Sequence, residues 1–289
     1  MKSKYLFPTW GLVLGYFFTI PGFVLGYLNI IKKYEIPGFG FNLREKRNLL
    51  QGTFENFTNE LAIFLVIIGL LFIAFSKSKR EDELNSKIRL NSLYWGIIAY
   101  YSIYVLIFFI NAFLAEIPHL SQHYLELNIF TPLLIFIVRF NYLKYIKKDI
   151  YLLDKPFLLA NNPTKKVGVV ITLLVFLIGV FALVSKLEGG NYYQILYISF
   201  IIGLLLWAFS KHKNEDEMIN NQRLESLQLA VYFNYGILLA ATLLFYSINY
   251  LFVLMFAQFS LLLYFVIRME YMRYKNTKIL NTFEGEIGS

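Results

Sequence analysis

Hydrophobic and polar positions do not alternate along this chain; they come in blocks. Apolar runs occupy residues 5–31, 57–76, 93–115, 127–145, 167–185, 193–210, 228–247 and 250–267. At about 1.5 Å per helical residue, such runs match a hydrocarbon core of about 30 Å. They predict a polytopic bundle of about eight transmembrane helices, all-α. Two positions qualify the pattern. Arg139 lies inside the fourth run, and the last two runs share one uncharged stretch, residues 226–267, too long for a single span. That stretch is divided at "YSINY" (246–250), where Asn and Ser favour a turn.

The polar blocks repeat. "FSKSKREDELNSKIRLNSL" (75–93) returns as "FSKHKNEDEMINNQRLESL" (209–227). A shift of 134 residues lays residues 67–93 on 201–227 with 17 of 27 positions identical. The following runs also correspond, "LLIFIVRFNYLKY" (133–145) with "LLYFVIRMEYMRY" (262–274), whereas the first and fifth correspond only weakly. Two tandem four-helix repeats are therefore expected: residues 1–148, a cytoplasmic linker 149–166 ending in Asn-Asn-Pro, and residues 167–289. An even number of spans per copy makes both enter the membrane in the same direction, with a symmetry axis along the membrane normal.

Composition agrees. The chain is 57% hydrophobic and 19% aromatic, with only 16% charged residues and a mean hydropathy of +0.54; soluble domains carry about 25% charged residues. The net charge of +8 invites a nucleic-acid reading, but there is no long basic run and no RNA-type aromatic motif. Lysines and arginines on cytoplasmic loops explain it. With the N-terminus inside, 21 Lys and Arg residues fall on inner segments and 6 on outer ones, which predicts both termini in the cytoplasm. Five of those six lie in the loop 32–57, expected to rest on the surface as a short amphipathic element, unless the first span is misplaced. The basic start resembles a signal peptide, yet the run that follows far exceeds a signal core of about 7–15 residues, so it is expected to stay as the first helix. Cysteine is absent, which removes disulfides and thiolate metal ligands.

The pattern F-S-K-x-K-x-E-D-E-x5-R-L-x-S-L, followed in the second copy by "VYFNYGILL" (231–239), resembles a group of uncharacterised multi-pass inner-membrane proteins of Bacteroidota. The first copy departs from it: "IIAYY" replaces "VYFNY", with Tyr100 standing where Asn234 stands. The resemblance implies the fold class and a bacterial inner membrane, and no catalytic residues.

Within each repeated segment, a span is expected to end at Ser76 or Ser210, with Lys77 and Lys79, or Lys211 and Lys213, at the headgroup boundary. The triplets Glu81, Asp82, Glu83 and Glu215, Asp216, Glu217 then open a helix, where carboxylates complement the dipole. Arg89 and Arg223 follow two turns on, on the same face. These eight residues form either a charge-paired helix start at the membrane surface or a paired platform for a cytosolic protein partner. Arg139 and Arg268 take matching places in the fourth and eighth spans. Either they snorkel to the interface, or each pairs with the acidic triplet of its own copy. Asn111, Asn234, Asn249 and Gln258 are polar residues within spans, expected to bond between helices. "GFVLG" (22–26) permits close helix packing.

In the outer loop, Glu116, His119, His123 and Glu126 share one face if helical, a possible metal-ligand set. Pro118 breaks that helix and the second copy has no equivalent, so no metal or other cofactor is expected. No P-loop, GxSxG or dinucleotide fingerprint is present. Three function classes remain. The first is a non-enzymatic scaffold or regulator docking a cytosolic partner through its acidic helices. The second is a transporter or channel with its pathway between the repeats. The third is a lipid-acting enzyme, which needs clustered acid, base or metal groups.

Overall fold

In hydrocarbon a backbone N–H or C=O has no water to bond, and an α-helix satisfies both within its own segment. The apolar blocks accordingly become helices. The computed structural model describes residues 5–41, 55–79, 83–113, 129–146, 158–185, 191–212, 217–244 and 248–287. Among the described residues are eight α-helices: α1 (Gly11–Lys32), α2 (Thr58–Phe75), α3 (Glu83–Phe113), α4 (Thr131–Tyr145), α5 (Lys166–Val184), α6 (Asn191–Ala208), α7 (Glu217–Leu244) and α8 (Ile248–Ile287). A two-residue antiparallel ladder, β1 (Gly40–Phe41) with β2 (Glu55–Asn56), joins the flanks of the loop after α1.

Six helices, α1, α2, α3, α5, α7 and α8, are long and apolar enough to cross a membrane. Helix α4 corrects the expectation of a full span, with 15 residues and about 22 Å of rise. Helix α6, Asn191–Ala208, has 18 residues, the length of the sixth apolar run. The fourth apolar run reaches back to Leu127, but Pro132 sits at the first turn of α4, where its fixed φ suits a helix start. The first span stands where expected, with Pro21 inside α1. The long uncharged stretch divides between Leu244 and Ile248, near the expected turn. Helices α3 and α7 run from the last residue of each acidic triplet straight into the span, with no join between surface helix and membrane helix.

The chain separates into two compact units. One is Met1–Asp154 with Asn234–Gln258; the other is Lys155–Phe233 with Phe259–Ser289. These boundaries differ from the sequence copies, since residues 234–258 group with the first unit. Buried hydroxyls in that unit show why. Tyr100 donates to Gln258 Oε1 at 2.5 Å, Tyr101 to Gln258 O at 2.7 Å and Tyr235 to Ile129 O at 2.7 Å. Each is a buried polar group that needs a partner. The expected linker makes contacts of its own before residue 166: Leu159 N donates to Phe209 O at 2.8 Å, and Asn161–Lys165 lead into α5 through a kink at Asn162 (φ −121°, ψ 127°).

In the first unit α1 packs along α2, and α4 packs against both α2 and α3; in the second α5 packs along α6. Glycines allow the close approaches. The buried stripe of α1 is Gly11, Gly15, Thr19 and Gly22. A Cβ on Gly15 would lie 2.9 Å from Gly69 O, and one on Gly69 would lie 2.6 Å from Thr19 N. The second unit repeats the device, with a Cβ on Gly168 meeting Trp207 N at 2.6 Å and one on Gly203 meeting Thr172 N at 3.0 Å. Of the "GFVLG" pair only Gly22 is at the seam, since Gly26 would meet nothing nearer than Ala62 Cβ at 3.8 Å.

The faces turned away from these seams are apolar. Val13 and Phe17 on α1 are 70% and 68% exposed, and Leu177 and Phe181 on α5 are each 66% exposed. In water such surface costs about 25 cal/mol per Å²; in a bilayer it faces its own kind. The chain is a multi-pass membrane protein by this measure, with lipid as its surrounding solvent. Replacing Gly69 by Val should overpack the α1–α2 seam and destabilise the fold by about 1–3 kcal/mol. Denaturation in detergent checks this, with Gly26→Ala as the variant expected to behave like wild type.

Candidate functional site

A helix end leaves its last four carbonyls without intrahelical donors, and at a membrane boundary those groups need partners from the protein. The end of α2 is closed by the repeated segment itself. Ser76 returns both its N–H (3.0 Å) and its Oγ (2.6 Å) to Phe72 O. Phe7, just before α1, donates its N–H to Phe75 O and accepts from Lys77 N, both at 2.9 Å. Arg89 reaches across from α3, with Nη1 donating to Ala74 O at 2.8 Å and Nη2 to Ser76 O at 3.0 Å. Its guanidinium lies 4.6 Å from the centroid of the Phe140 ring on α4.

The second unit builds the same closure. Ser210 Oγ donates to Leu206 O. Leu159 takes the part of Phe7, accepting from Lys211 N at 2.9 Å. Arg223 on α7 donates from Nη1 to Ala208 O at 2.8 Å and from Nη2 to Ser210 O at 3.2 Å. Both arginines are only 1% exposed. This corrects the expectation that they share a solvated face with the acidic triplets. A planar fork satisfies two carbonyls at once, and its positive charge complements the negative end of the helix. So placed, Arg89 and Arg223 cannot contact a cytosolic partner; they hold two helices together.

The other expected residues divide as follows. Glu81, Asp82, Glu215 and Asp216 lie outside the described residues, as do Glu116, His119, His123 and Glu126. Glu83 and Glu217 are the first residues of α3 and α7, with side chains outside the description. Lys77 and Lys211 are exposed, as a headgroup-level position requires. Arg139 is half-buried; its Nη2 lies 3.5 Å from Asn91 Oδ1 and its guanidinium 5.6 Å from the Trp95 ring centroid. Arg268 is likewise half-buried. Asn234 is buried on α7, and Asn111 lies in α3 with its side chain outside the description.

Two features were not anticipated. Tyr100 and Tyr101 meet Gln258, which sequence treats only as a generic interhelical residue. In the second unit, Glu270 collects Lys165 at 2.5 Å, Trp207 Nε1 at 3.1 Å and Arg273 at 3.1 Å. The signal for the latter was present: Glu270 is the residue that replaces Asn141 in the repeated "LLIFIVRFNYLKY".

The arrangement fixes backbone and gathers charge at helix ends. Among the described residues, no group of three His, Asp or Glu side chains could hold a metal. Comparison with protein-family models, with curated proteins and with solved structures finds no match. Replacing Arg89 by Lys should orphan one buried carbonyl and lower stability by about 1–3 kcal/mol, because an ammonium cannot span both acceptors. Arg223→Lys should do the same, read as melting in detergent; an unchanged transition for both would contradict the closure.

Proposed function

We propose that the protein is a non-enzymatic integral membrane scaffold or regulator that docks a cytosolic partner through its duplicated acidic helix starts. In this reading it is two tandem four-helix copies in a bacterial inner membrane, with both termini in the cytoplasm. The observation that carries the reading is the matched closure at Arg89 and Arg223. In each copy it ties the helix that follows an acidic triplet to the end of the preceding helix, so both triplets are borne on rigid, equivalent supports. Rigid presentation lowers the ordering cost of binding, and two equivalent epitopes raise the effective concentration for a bivalent partner.

A transporter or channel is the alternative. Buried Tyr100, Tyr101, Asn234 and Gln258 in apolar spans support it, since polar groups at such positions mark pathways. The docking reading is preferred because the Tyr100 and Tyr101 hydroxyls are already committed to Gln258.

A pull-down from native membranes tests the docking reading. Changing Glu81, Asp82, Glu83, Glu215, Asp216 and Glu217 to Gln or Asn should remove a cytosolic protein while the melting transition is kept. Recovery of the same proteins with wild type and variant would end it. Because the chain has no cysteine, single cysteines report the topology. Gly189→Cys should be labelled in intact cells by a membrane-impermeant maleimide, and Ser289→Cys only after permeabilisation.

A further inference from the structure

The end of the first unit where α1 and α3 begin and α2 and α4 finish holds an open cavity of 840 Å³, within the range of about 300–1,000 Å³ usual for ligand sites. Its lining follows the helix ends. Thr9 precedes α1, Lys77 and Lys79 follow α2, and Asn141 and Lys144 close α4. One to two turns further along the same helices come Val13 and Tyr16 of α1, Ile73 of α2 and Ile137 of α4. Positive and hydrogen-bonding groups thus occupy the helix ends, and apolar groups lie inward along the helices.

Among the described residues the charge there is positive. No carboxylate lines the cavity among the described residues. Lys77 and Lys79 are exposed, and neither pairs with a described carboxylate. Lys144 is positioned by neutral groups: Nζ donates to Ser78 Oγ at 2.8 Å and lies 5.4 Å and 5.2 Å from the ring centroids of Phe140 and Tyr145.

The second unit shows the same place filled. Where the first has Asn141, the second has Glu270, and that carboxylate takes Lys165, Trp207 and Arg273. The space bounded by Lys165, Trp207, Ser210 and Glu270 is only 10 Å³. Among the described residues, the second unit supplies its own anion at this place and leaves little volume, whereas the first has cations, a neutral Asn and open volume.

We propose that the cavity of the first unit binds the phosphate of an anionic phospholipid, with Lys77, Lys79 and Lys144 around the phosphate, Thr9 and Asn141 as hydrogen-bond partners, and the apolar lining along the acyl chains. Basic pockets between membrane helices suit such headgroups. The site is separate from the docking of a cytosolic partner and does not depend on it.

The test uses the purified full-length protein, delipidated in detergent and titrated with phosphatidylglycerol or phosphatidylcholine under native mass spectrometry. Phosphatidylglycerol should bind tighter. Lys77→Gln and Lys144→Gln should each weaken it about fivefold and leave phosphatidylcholine unchanged. Asn141→Glu, which installs the carboxylate of the second unit, should weaken phosphatidylglycerol at least as much while the melting temperature holds or rises. Lys165→Gln should leave lipid binding as in wild type. Equal binding of the two lipids overturns the proposal, as does phosphatidylglycerol binding indifferent to Lys77, Lys144 and Asn141. Inorganic phosphate that stabilises the protein as strongly as phosphatidylglycerol, through the same lysines, overturns the assignment to lipid.

Discussion

A guanidinium buried at the end of a membrane helix is the constraint on which the rest of this molecule depends. Carbonyls at a span's end face neither bulk water nor a next turn, and in each unit an arginine from the following helix bonds two of them. Serine and an extended residue from the preceding segment bond two more. The result sets the angle of the hairpin, places lysines at the boundary and starts the next helix at the acidic triplet. Burying that charge is tolerated because two of its nitrogens bond carbonyls; an isolated buried cation is expensive. The motif is dense in charge because one charge is needed inside and the others outside.

That division marks the limit of what the sequence reveals. Positions of the helices were legible, because apolar blocks of membrane length leave few alternatives, and so was the division of the last uncharged stretch into two helices. The correspondence of residues 67–93 with 201–227 pointed at the closing segment without showing its geometry. Arg89 was misplaced on a surface because helical spacing puts it on the face of Asp82; spacing tells which residues share a face, not which face is covered. The length of α4 was overestimated because hydropathy does not register where a proline starts a helix. The close seam at Gly15 and Gly69 was missed since small residues three or four apart recur by chance in apolar spans, and only the approach of a partner distinguishes them.

The two units also act as each other's control where their residues correspond. Features present in both, the arginine closure and the glycine seam, hold the backbone. Features present in one are where the corresponding segments differ. Asn141 against Glu270 is such a difference, and so is Tyr100 against Asn234. The first puts a neutral amide where the second unit has a carboxylate that binds Lys165, Trp207 and Arg273. The second puts a phenol where the other copy has an amide, and the phenol bonds Gln258. Specialisation of this kind needs few substitutions because the backbone is held by the shared parts.

Hydrogen–deuterium exchange of the protein in lipid nanodiscs tests the central claim most directly. If the closure is the common constraint, the amides of Ser76, Lys77, Phe209 and Lys211 exchange slowly and at similar rates in both units, although they stand at helix ends beside exposed lysine side chains. Fast exchange at these amides, or protection in one unit alone, would contradict the account.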